Sequence, residues 1–269
     1  MEFIDTHAHL MDDIFRRDRN QVVERSFKSG VGRIVEIACS SMEWNRAVGF
    51  CGSYKNRICA CFGIHPHYPE QLSPENIVKL KEFLNLEVSR GLGEVGLDYF
   101  WEPGKKDSQM KLLSEMIKIS NEFKKICVFH CRNGKNAKNE NAYSDLLDFI
   151  KQRWNFESKK RFRGVLHCFS GNYEDAKRGI DMGLAIGVNG TFTYPKNEEL
   201  RETVEKIGME NIVFETDCPY LPPQSKRGKR NDPSCIPEIA GSVFQCLNAM
   251  PEHGAEIVAR NSSEIFDIC

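Results

Sequence analysis

The sequence contains 11 cysteines in 269 residues but no pair in Cys-x-x-Cys spacing. Structural zinc modules and thioredoxin-type redox motifs depend on that spacing, so a redox or thiol function is disfavoured. An apolar run approaching the roughly 18 residues that cross a bilayer is also missing, which predicts a protein without membrane contact. Most of the cysteines are therefore expected to serve as small buried hydrophobic residues.

An excess of charge of one sign is missing as well. Lys plus Arg number 37 and Asp plus Glu number 38, which gives a net charge of −1. A broad basic surface for long duplex nucleic acid is therefore not expected, and any nucleic-acid contact must be local. The opening residues Met1–Asp5 lack the basic and apolar segments of a secretory signal, and the cysteine count is odd. Together these features predict a reducing compartment, cytoplasmic or nuclear.

Short apolar runs alternate with longer segments that carry apolar residues at helical spacing. This order is typical of repeated βα units. We predict strands over Phe3–Thr6, Arg33–Ala38, Ile58–Ile64, Leu92–Val95, Ile126–Phe129, Gly164–His167, Leu184–Val188 and Ile212–Phe214. Helices are predicted between them over Arg19–Lys28, Ile77–Val88, Ser108–Phe123, Tyr143–Trp154 and Glu198–Ile207.

The predicted fold class is α/β, a single (β/α)8 TIM barrel over residues 1–269, because eight strands alternate with helices and no low-complexity linker divides them. A doubly wound open sheet is the alternative. Extra C-terminal helices, Ile236–Leu247 and Ala255–Phe266, are expected to close the barrel. The polar and basic stretch Gly134–Arg163 is an irregularity, for which a solvated helix end and a surface turn are the simplest interpretation.

Histidines are concentrated at the predicted strand ends. Of the seven histidines, six lie at or just beyond the C-terminal end of a strand: His7, His9, His65, His67, His130 and His167. In a parallel barrel all these ends open on one face, where catalytic groups gather, so the histidines are predicted to be neighbours. His7 and His9 lie on the same side of a strand and can reach one cation. Taken alone, the pair is weak evidence, because an isolated His-x-His is more often explained by surface or hydrogen-bonded core histidines.

Two carboxylates end apolar strands and require partners. Glu94 lies within Gly91–Tyr99 and Asp217 ends Ile212–Asp217, where an unpaired charge would carry a heavy desolvation cost. A salt bridge for Glu94 and a helix N-cap or turn for Asp217 are the alternatives. Together with four of the histidines, the two carboxylates predict adjacent sites for two divalent cations that share one carboxylate. Such ligands suit Zn or Mn, or Mg with more water and substrate oxygen in its shell.

The chain resembles the TatD-family metal-dependent deoxyribonucleases, a branch of the amidohydrolase-like barrels. The motifs that carry the resemblance run nearly end to end, over Asp5–Leu10, Gly63–His67, Gly93–Tyr99, Val128–Arg132, Gly164–Gly171, Glu215–Leu221 and Arg227–Pro233. The resemblance implies a TIM-type barrel and a divalent-metal hydrolase. It also implies DNA as the substrate, either single-stranded or at its ends. The expected cleavage has 3′ to 5′ exonuclease character and is compatible with endonuclease activity. The stretch Gly134–Arg163 departs from the family by looking longer and more polar.

Carried over position by position, the resemblance implies metal ligands at His7, His9, Glu94, His130, His167 and Asp217. We assign His7, His9 and Asp217 to one cation and the other two histidines to the second, with Glu94 touching both. Asp217 is also expected to accept the proton of the attacking water. His65 is the candidate for orienting the scissile phosphate or protonating the leaving oxygen, and a structural histidine is its alternative.

Three arginines are the candidates for substrate binding. Arg132 follows His130 by two residues and can bind a phosphate, with a surface ion pair as the alternative. Arg227 and Arg230 lie in Lys226–Arg230, in the loop after the eighth strand, where barrels often bind phosphate. A solvated charge run is the alternative for that cluster.

Two further functions compete with the nuclease. A sister hydrolase acting on an ester, lactone or aminoacyl-tRNA bond would use the same metal chemistry on the same scaffold. A catalytically silent binding or scaffold protein would have degenerate ligand positions, whereas all six are intact here. No obligate protein partner is predicted.

Overall fold

The computed structural model describes residues 2–101, 105–135, 140–156 and 158–268. Eight strands in these ranges pair in parallel and in sequence order from the first to the last. They are β1 (Phe3–Ala8), β2 (Val31–Ala38), β3 (Ile58–Phe62), β4 (Ser89–Asp98), β5 (Cys127–Arg132), β6 (Gly164–Leu166), β7 (Leu184–Val188) and β8 (Ile212–Phe214). The predicted TIM barrel is confirmed, and its strands lie where the apolar runs placed them.

The ends of β1 and β8 meet at the C-terminal mouth of the barrel. The N–H of Asp217 donates to the carbonyl oxygen of His7 over 2.9 Å, and the N–H of His9 donates to that of Cys218 over 2.9 Å. The Thr6 hydroxyl donates to the carbonyl oxygen of Phe214 over 3.0 Å. These bonds nearly close the barrel, and they join the segments that carry His7, His9 and Asp217.

Helices cover the outside of the barrel and follow the strands. They are α1 (Arg19–Lys28), α2 (Trp44–Ser53), α3 (Pro74–Leu84), α4 (Lys106–Phe123), α5 (Ala142–Arg153), α6 (Tyr173–Asp181), α7 (Glu198–Ile207), α8 (Ile236–Cys246) and α9 (Pro251–Phe266). The third helix begins and ends earlier than predicted: the Ser73 side chain accepts the N–H of Asn76, and Pro74 occupies the first turn. Within the described ranges, no helix is long and apolar enough to cross a membrane.

Two apolar layers lie on opposite sides of the strands. Alternate strand residues such as Val35, Ile37, Cys59 and Cys61 pack with Ile265, Phe266 and Ile268 near the C-terminal end of α9, while the other side of the strands packs against the helices. Every second residue of a strand points to the same side, which is the usual alternation of side chains along a strand. All ten described cysteines are free thiols, most of them buried, as expected of small core residues.

Part of the irregular stretch Gly134–Arg163 falls on residues 136–139 and 157, which lie outside the described residues. In the described part, α5 packs on the barrel and Trp154 is buried, 3% exposed. The Arg163 guanidinium carbon lies 4.3 Å from the centre of the Trp154 ring, and the Nη1 group of Arg163 donates to the carbonyl oxygens of Trp154 and Phe156. Part of this basic stretch is therefore packed rather than solvated.

Candidate metal centre

The first donor group consists of His7, His9 and Asp217, which face Oε1 of Glu94 at the C-terminal mouth. The two imidazole Nε2 atoms are 3.2 Å apart. Their distances to Glu94 Oε1 are 3.4 and 3.3 Å, and their distances to Asp217 Oδ1 are 3.7 and 3.4 Å. Ligands about 2.1 Å from a tetrahedral cation lie about 3.4 Å apart. The spacing of this group therefore fits a single divalent cation.

The second donor group consists of His130 and His167, which face the other oxygen of the same carboxylate. Glu94 Oε2 lies 3.1 Å from His130 Nδ1 and 2.5 Å from His167 Nε2. The two imidazole nitrogens are 3.2 Å apart. Each oxygen of Glu94 thus faces a separate set of nitrogen donors, the arrangement expected of a bridging ligand.

A glycine allows β4 and β5 to approach closely at this point. Gly96 has a φ of +146°, and a Cβ at this position would lie 1.9 Å from the carbonyl oxygen of His130. Any side chain would therefore push β5 away from β4. Gly96 thus helps to keep His130 within reach of Glu94.

Asp98 orients His130, although the sequence motifs did not mark it as a site residue. Its Oδ2 lies 3.0 Å from His130 Nε2 and 3.0 Å from His67 Nε2. The imidazole therefore donates its Nε2 proton to Asp98, so that Nδ1 is the nitrogen that faces Glu94 and would ligate a cation. Carboxylates commonly fix the tautomer of metal-binding histidines in this way. Asp98 follows Glu94 by four residues at the end of a buried strand, and this position was the signal available in the sequence.

Three other residues contact the centre without having been selected. The Glu215 Oε1 atom accepts the N–H of Cys168 and lies 3.8 Å from His167 Nδ1. Cys39 lies within reach of His9 and Glu94, and burial raises the pKa of its thiol to about 12. Asp5 accepts the N–H groups of His7 and Thr216, which ties β1 to the segment after β8.

Hydrogen bonds separate the role of His65 from that of the ligands. The N–H of His67 donates to His65 Nδ1 over 3.1 Å, so the neutral ring carries its proton on Nε2. That nitrogen lies 3.8 Å from Glu94 Oε2. A protonated ring nitrogen cannot ligate a cation, but it can donate a hydrogen bond into the mouth of the barrel. Burial, followed by the charge of His130, holds the pKa of His65 well below 6.5.

The shifted pKa values of the donor groups favour replacement of their protons by divalent cations. Burial by itself raises the pKa of Glu94, but His167 and His7 outweigh it and hold that pKa well below 4.5. Burial also lowers the pKa of His130, but hydrogen bonds to Asp98 and Glu94 reverse this effect and raise it to about 9. Burial lowers the pKa of His7 to about 4. A divalent cation can replace protons held between carboxylates, because its binding deprotonates the ligating groups.

The three predicted substrate arginines lie in different environments. Arg132 is exposed, and its guanidinium carbon is 4.2 Å from the centre of the Phe100 ring. Arg227 packs over Tyr194 at 4.4 Å, and no ion pair of it occurs in the described part of the chain. Arg230 instead forms a two-pronged pair with Asp18, at 3.0 and 2.5 Å. The two arginines of the loop after β8 thus differ, because the guanidinium of Arg230 is already bound by Asp18.

Comparisons with known proteins agree with this centre. The TatD related DNase family matches residues 4–267. YabD of Bacillus subtilis, an uncharacterized metal-dependent hydrolase, is 30% identical, over 98% of this chain and 98% of its own. The crystal structure of the TatD homologue YjjV from Escherichia coli has a TM-score of 0.87 at 25% identity, covering 99% of this chain and 98% of its own. With six intact donors at one barrel mouth, the chain belongs to the TatD-related DNase family of metal-dependent hydrolases.

Proposed function

We propose that this protein is a deoxyribonuclease that hydrolyses DNA phosphodiester bonds with two divalent cations. The observation that carries the proposal is the position of Glu94, whose two oxygens face separate donor groups. The first cation would be held by His7, His9 and Asp217, and the second by His130 and His167. Both would share Glu94.

Phosphodiester hydrolysis needs charge neutralisation on the phosphoryl oxygens and an activated water at neutral pH, and a pair of divalent cations supplies both when bound. Asp217 is our candidate for accepting the proton of the attacking water. Burial raises its pKa, but the hydrogen bond with His9 and the nearby His167 and His7 outweigh burial, so the pKa is lowered. A carboxylate that stays ionised near pH 7 is available as a proton acceptor.

The hydrogen-bond pattern of His65 supports a role in orienting the scissile phosphate. Its Nε2 proton faces the mouth of the barrel, while its Nδ1 is occupied by the N–H of His67. Between the two roles predicted from the sequence, hydrogen-bond donation to a phosphoryl oxygen fits this neutral tautomer. Protonation of the leaving oxygen would instead remove the single ring proton of neutral His65 from its Nε2 and leave an imidazolate anion.

The substrate is proposed to be single-stranded DNA or DNA ends, degraded with 3′ to 5′ exonuclease character and with room for endonuclease activity. Arg132 and Arg227 supply exposed cations near strand ends, while the net charge of −1 provides no broad basic surface for duplex.

The decisive experiment follows a single strand labelled at its 5′ end, incubated with the protein and Mg, Mn or Zn. A nuclease of this kind gives a ladder that shortens from the 3′ end, and the ladder disappears when a chelator is added. An aminoacyl ester and a DNA plasmid are tested in parallel. Hydrolysis of the ester without cleavage of either DNA would assign the metal chemistry to the sister hydrolase reaction.

A further inference from the structure

An exposed aromatic pair lies beside the second donor group. Phe100 and Trp101 follow the end of β4, with ring centres 5.0 Å apart and ring planes at 80°. The Trp101 side chain is 62% exposed, whereas Trp44 and Trp154 are buried, 1% and 3% exposed. The fold therefore buries two of its indoles and leaves the third in solvent.

Two cations surround this pair. The Arg132 guanidinium carbon lies 4.2 Å from the centre of the Phe100 ring and 5.6 Å from that of Trp101. The Lys135 ammonium nitrogen lies 5.4 Å from the Phe100 ring centre. Within the ranges that the structure describes, neither cation pairs with a carboxylate. Both charges therefore remain available to an anion, while the aromatic rings hold them in place.

Asp98 connects the aromatic pair to the metal centre. Its Oδ1 accepts the N–H groups of Phe100 and Trp101, each over 2.9 Å, and its Oδ2 faces His130 Nε2 at 3.0 Å. In addition, the N–H of Tyr99 donates to the carbonyl oxygen of Arg132 over 3.0 Å. One carboxylate thus fixes the backbone beneath the rings and the imidazole that faces Glu94. The spacing between the rings and the catalytic mouth is therefore set by bonds rather than by a free loop.

We infer that Phe100, Trp101, Arg132 and Lys135 form a base-stacking subsite for a nucleotide of single-stranded DNA next to the scissile bond. The exposed indole offers a face to a nucleobase, and the two unpaired cations offer charge to the adjoining phosphates. Aromatic faces beside basic side chains are the usual means of holding single strands without reading their sequence. Bases within duplex DNA are already stacked on one another, so this subsite selects single strands and frayed ends. The inference rests on the proposed nuclease function and names the part of the strand that the protein grips.

The test measures indole emission, because Trp101 is the exposed tryptophan. Metal-loaded protein is titrated with a short single-stranded oligodeoxynucleotide whose phosphorothioate linkages resist cleavage. Stacking of a base on the indole is expected to quench the exposed part of the emission, and Trp101→Phe should abolish that quenching. A second oligonucleotide of equal length and charge, with abasic sites at its 3′ end, should bind about tenfold more weakly and should not quench.

Two variants separate stacking from apolar contact. Trp101→Leu keeps an apolar side chain but removes the aromatic face, so it should weaken oligonucleotide binding about tenfold, whereas Trp101→Phe should weaken it less. Met250→Ala is the matched control, because Met250 is 71% exposed between α8 and α9. It should bind the oligonucleotide as the wild type does. Thermal melting of each variant verifies that it is folded.

Equal binding and quenching by the intact and abasic strands would overturn the subsite, because phosphate contacts alone would then explain binding. Unchanged binding in Trp101→Leu would overturn it as well. Tighter binding of an RNA strand of the same sequence would overturn the assignment to DNA. The nuclease function fails separately: wild-type protein that quenches on binding but leaves an unmodified strand uncut keeps the subsite and loses the proposed reaction. If the wild-type protein cuts that strand and Trp101→Leu binds it as well as the wild type does, the nuclease function stands and the subsite is lost.

Discussion

The two donor groups on either side of Glu94 are built differently. The first joins β1 to the segment after β8, so its residues are distant in sequence and come together where the barrel nearly closes. The second lies on β5 and directly after β6, and it is oriented by Asp98 at the end of β4. The first group therefore depends on barrel closure, whereas the second depends on a local carboxylate.

This difference predicts that the two donor groups can be disturbed separately, apart from the shared Glu94 and the stacked rings of His7 and His167, whose centres lie 3.8 Å apart. Asp98 contacts His130 and His67 but appears in no contact with the first group among the described residues. His9, in contrast, is held by the carbonyl oxygen of Ile37, which lies 3.2 Å from its Nδ1. Substitutions at Glu94, at one group or at a supporting residue should therefore have graded effects.

The largest effect is expected from Glu94→Gln. An amide has a single oxygen to offer as a ligand, so it cannot serve both cations as a carboxylate does. The variant is expected to stay folded, to lose bound metal and to lose DNA hydrolysis by about three orders of magnitude or more. Turnover, metal content and circular dichroism check these outcomes together. Near-wild-type turnover at equal metal would show that Glu94 is not shared.

The double substitution His130→Ala with His167→Ala is expected to remove the second cation only. His7, His9 and Asp217 keep their spacing of 3.2–3.7 Å to one another and to Glu94, so one metal per chain should remain. Elemental analysis of the purified variant gives this number. Two bound metals, or none, would contradict the division into two groups.

Asp98→Asn should weaken the second site without removing it. The amide can still accept one hydrogen bond but no longer favours the imidazole orientation that points Nδ1 at Glu94. Loss of such a supporting carboxylate typically lowers metal affinity about 10- to 100-fold. Calorimetric titration should show one weakened site and one unchanged site. An equal loss at both sites would mean that Asp98 supports the whole mouth.

The smallest effects are expected in the loop after β8, where two arginines can be compared. Arg227→Gln should raise the KM for DNA and reduce the slope of log affinity against log salt by about 0.7 on a single strand. Arg230→Gln should change both less, because Asp18 already binds that guanidinium. A small chromogenic phosphodiester should be affected less than DNA by Arg227→Gln. Equal effects of the two substitutions would remove the distinction between a free and a paired arginine.

The strands and the meeting of the six proposed donors at one barrel mouth could be predicted from the order of residues along the chain. Apolar runs alternate with helical segments, and histidines or carboxylates at strand ends must converge in a parallel barrel. The boundaries of α3 were less accurate, because the Ser73 cap and Pro74 start that helix ahead of its apolar residues. Caps are short-range features that hydrophobic spacing does not reveal.

The supporting contacts could not be predicted, because they depend on how side chains pair across the barrel. The pairing of Arg230 with Asp18 joins residues 212 positions apart, and nothing in Lys226–Arg230 distinguishes it from Arg227. Asp98 and Glu215 looked like ordinary acidic residues near strand ends. Their role emerges only when His130 and His167 are seen beside them.

The most direct test of the shared carboxylate is anomalous X-ray diffraction from crystals of Mn- or Zn-loaded protein. Two anomalous peaks should flank Glu94, one in contact with His7, His9 and Asp217 and the other with His130 and His167. A single peak, or two peaks of which only one contacts Glu94, would contradict the account of two cations joined by one carboxylate.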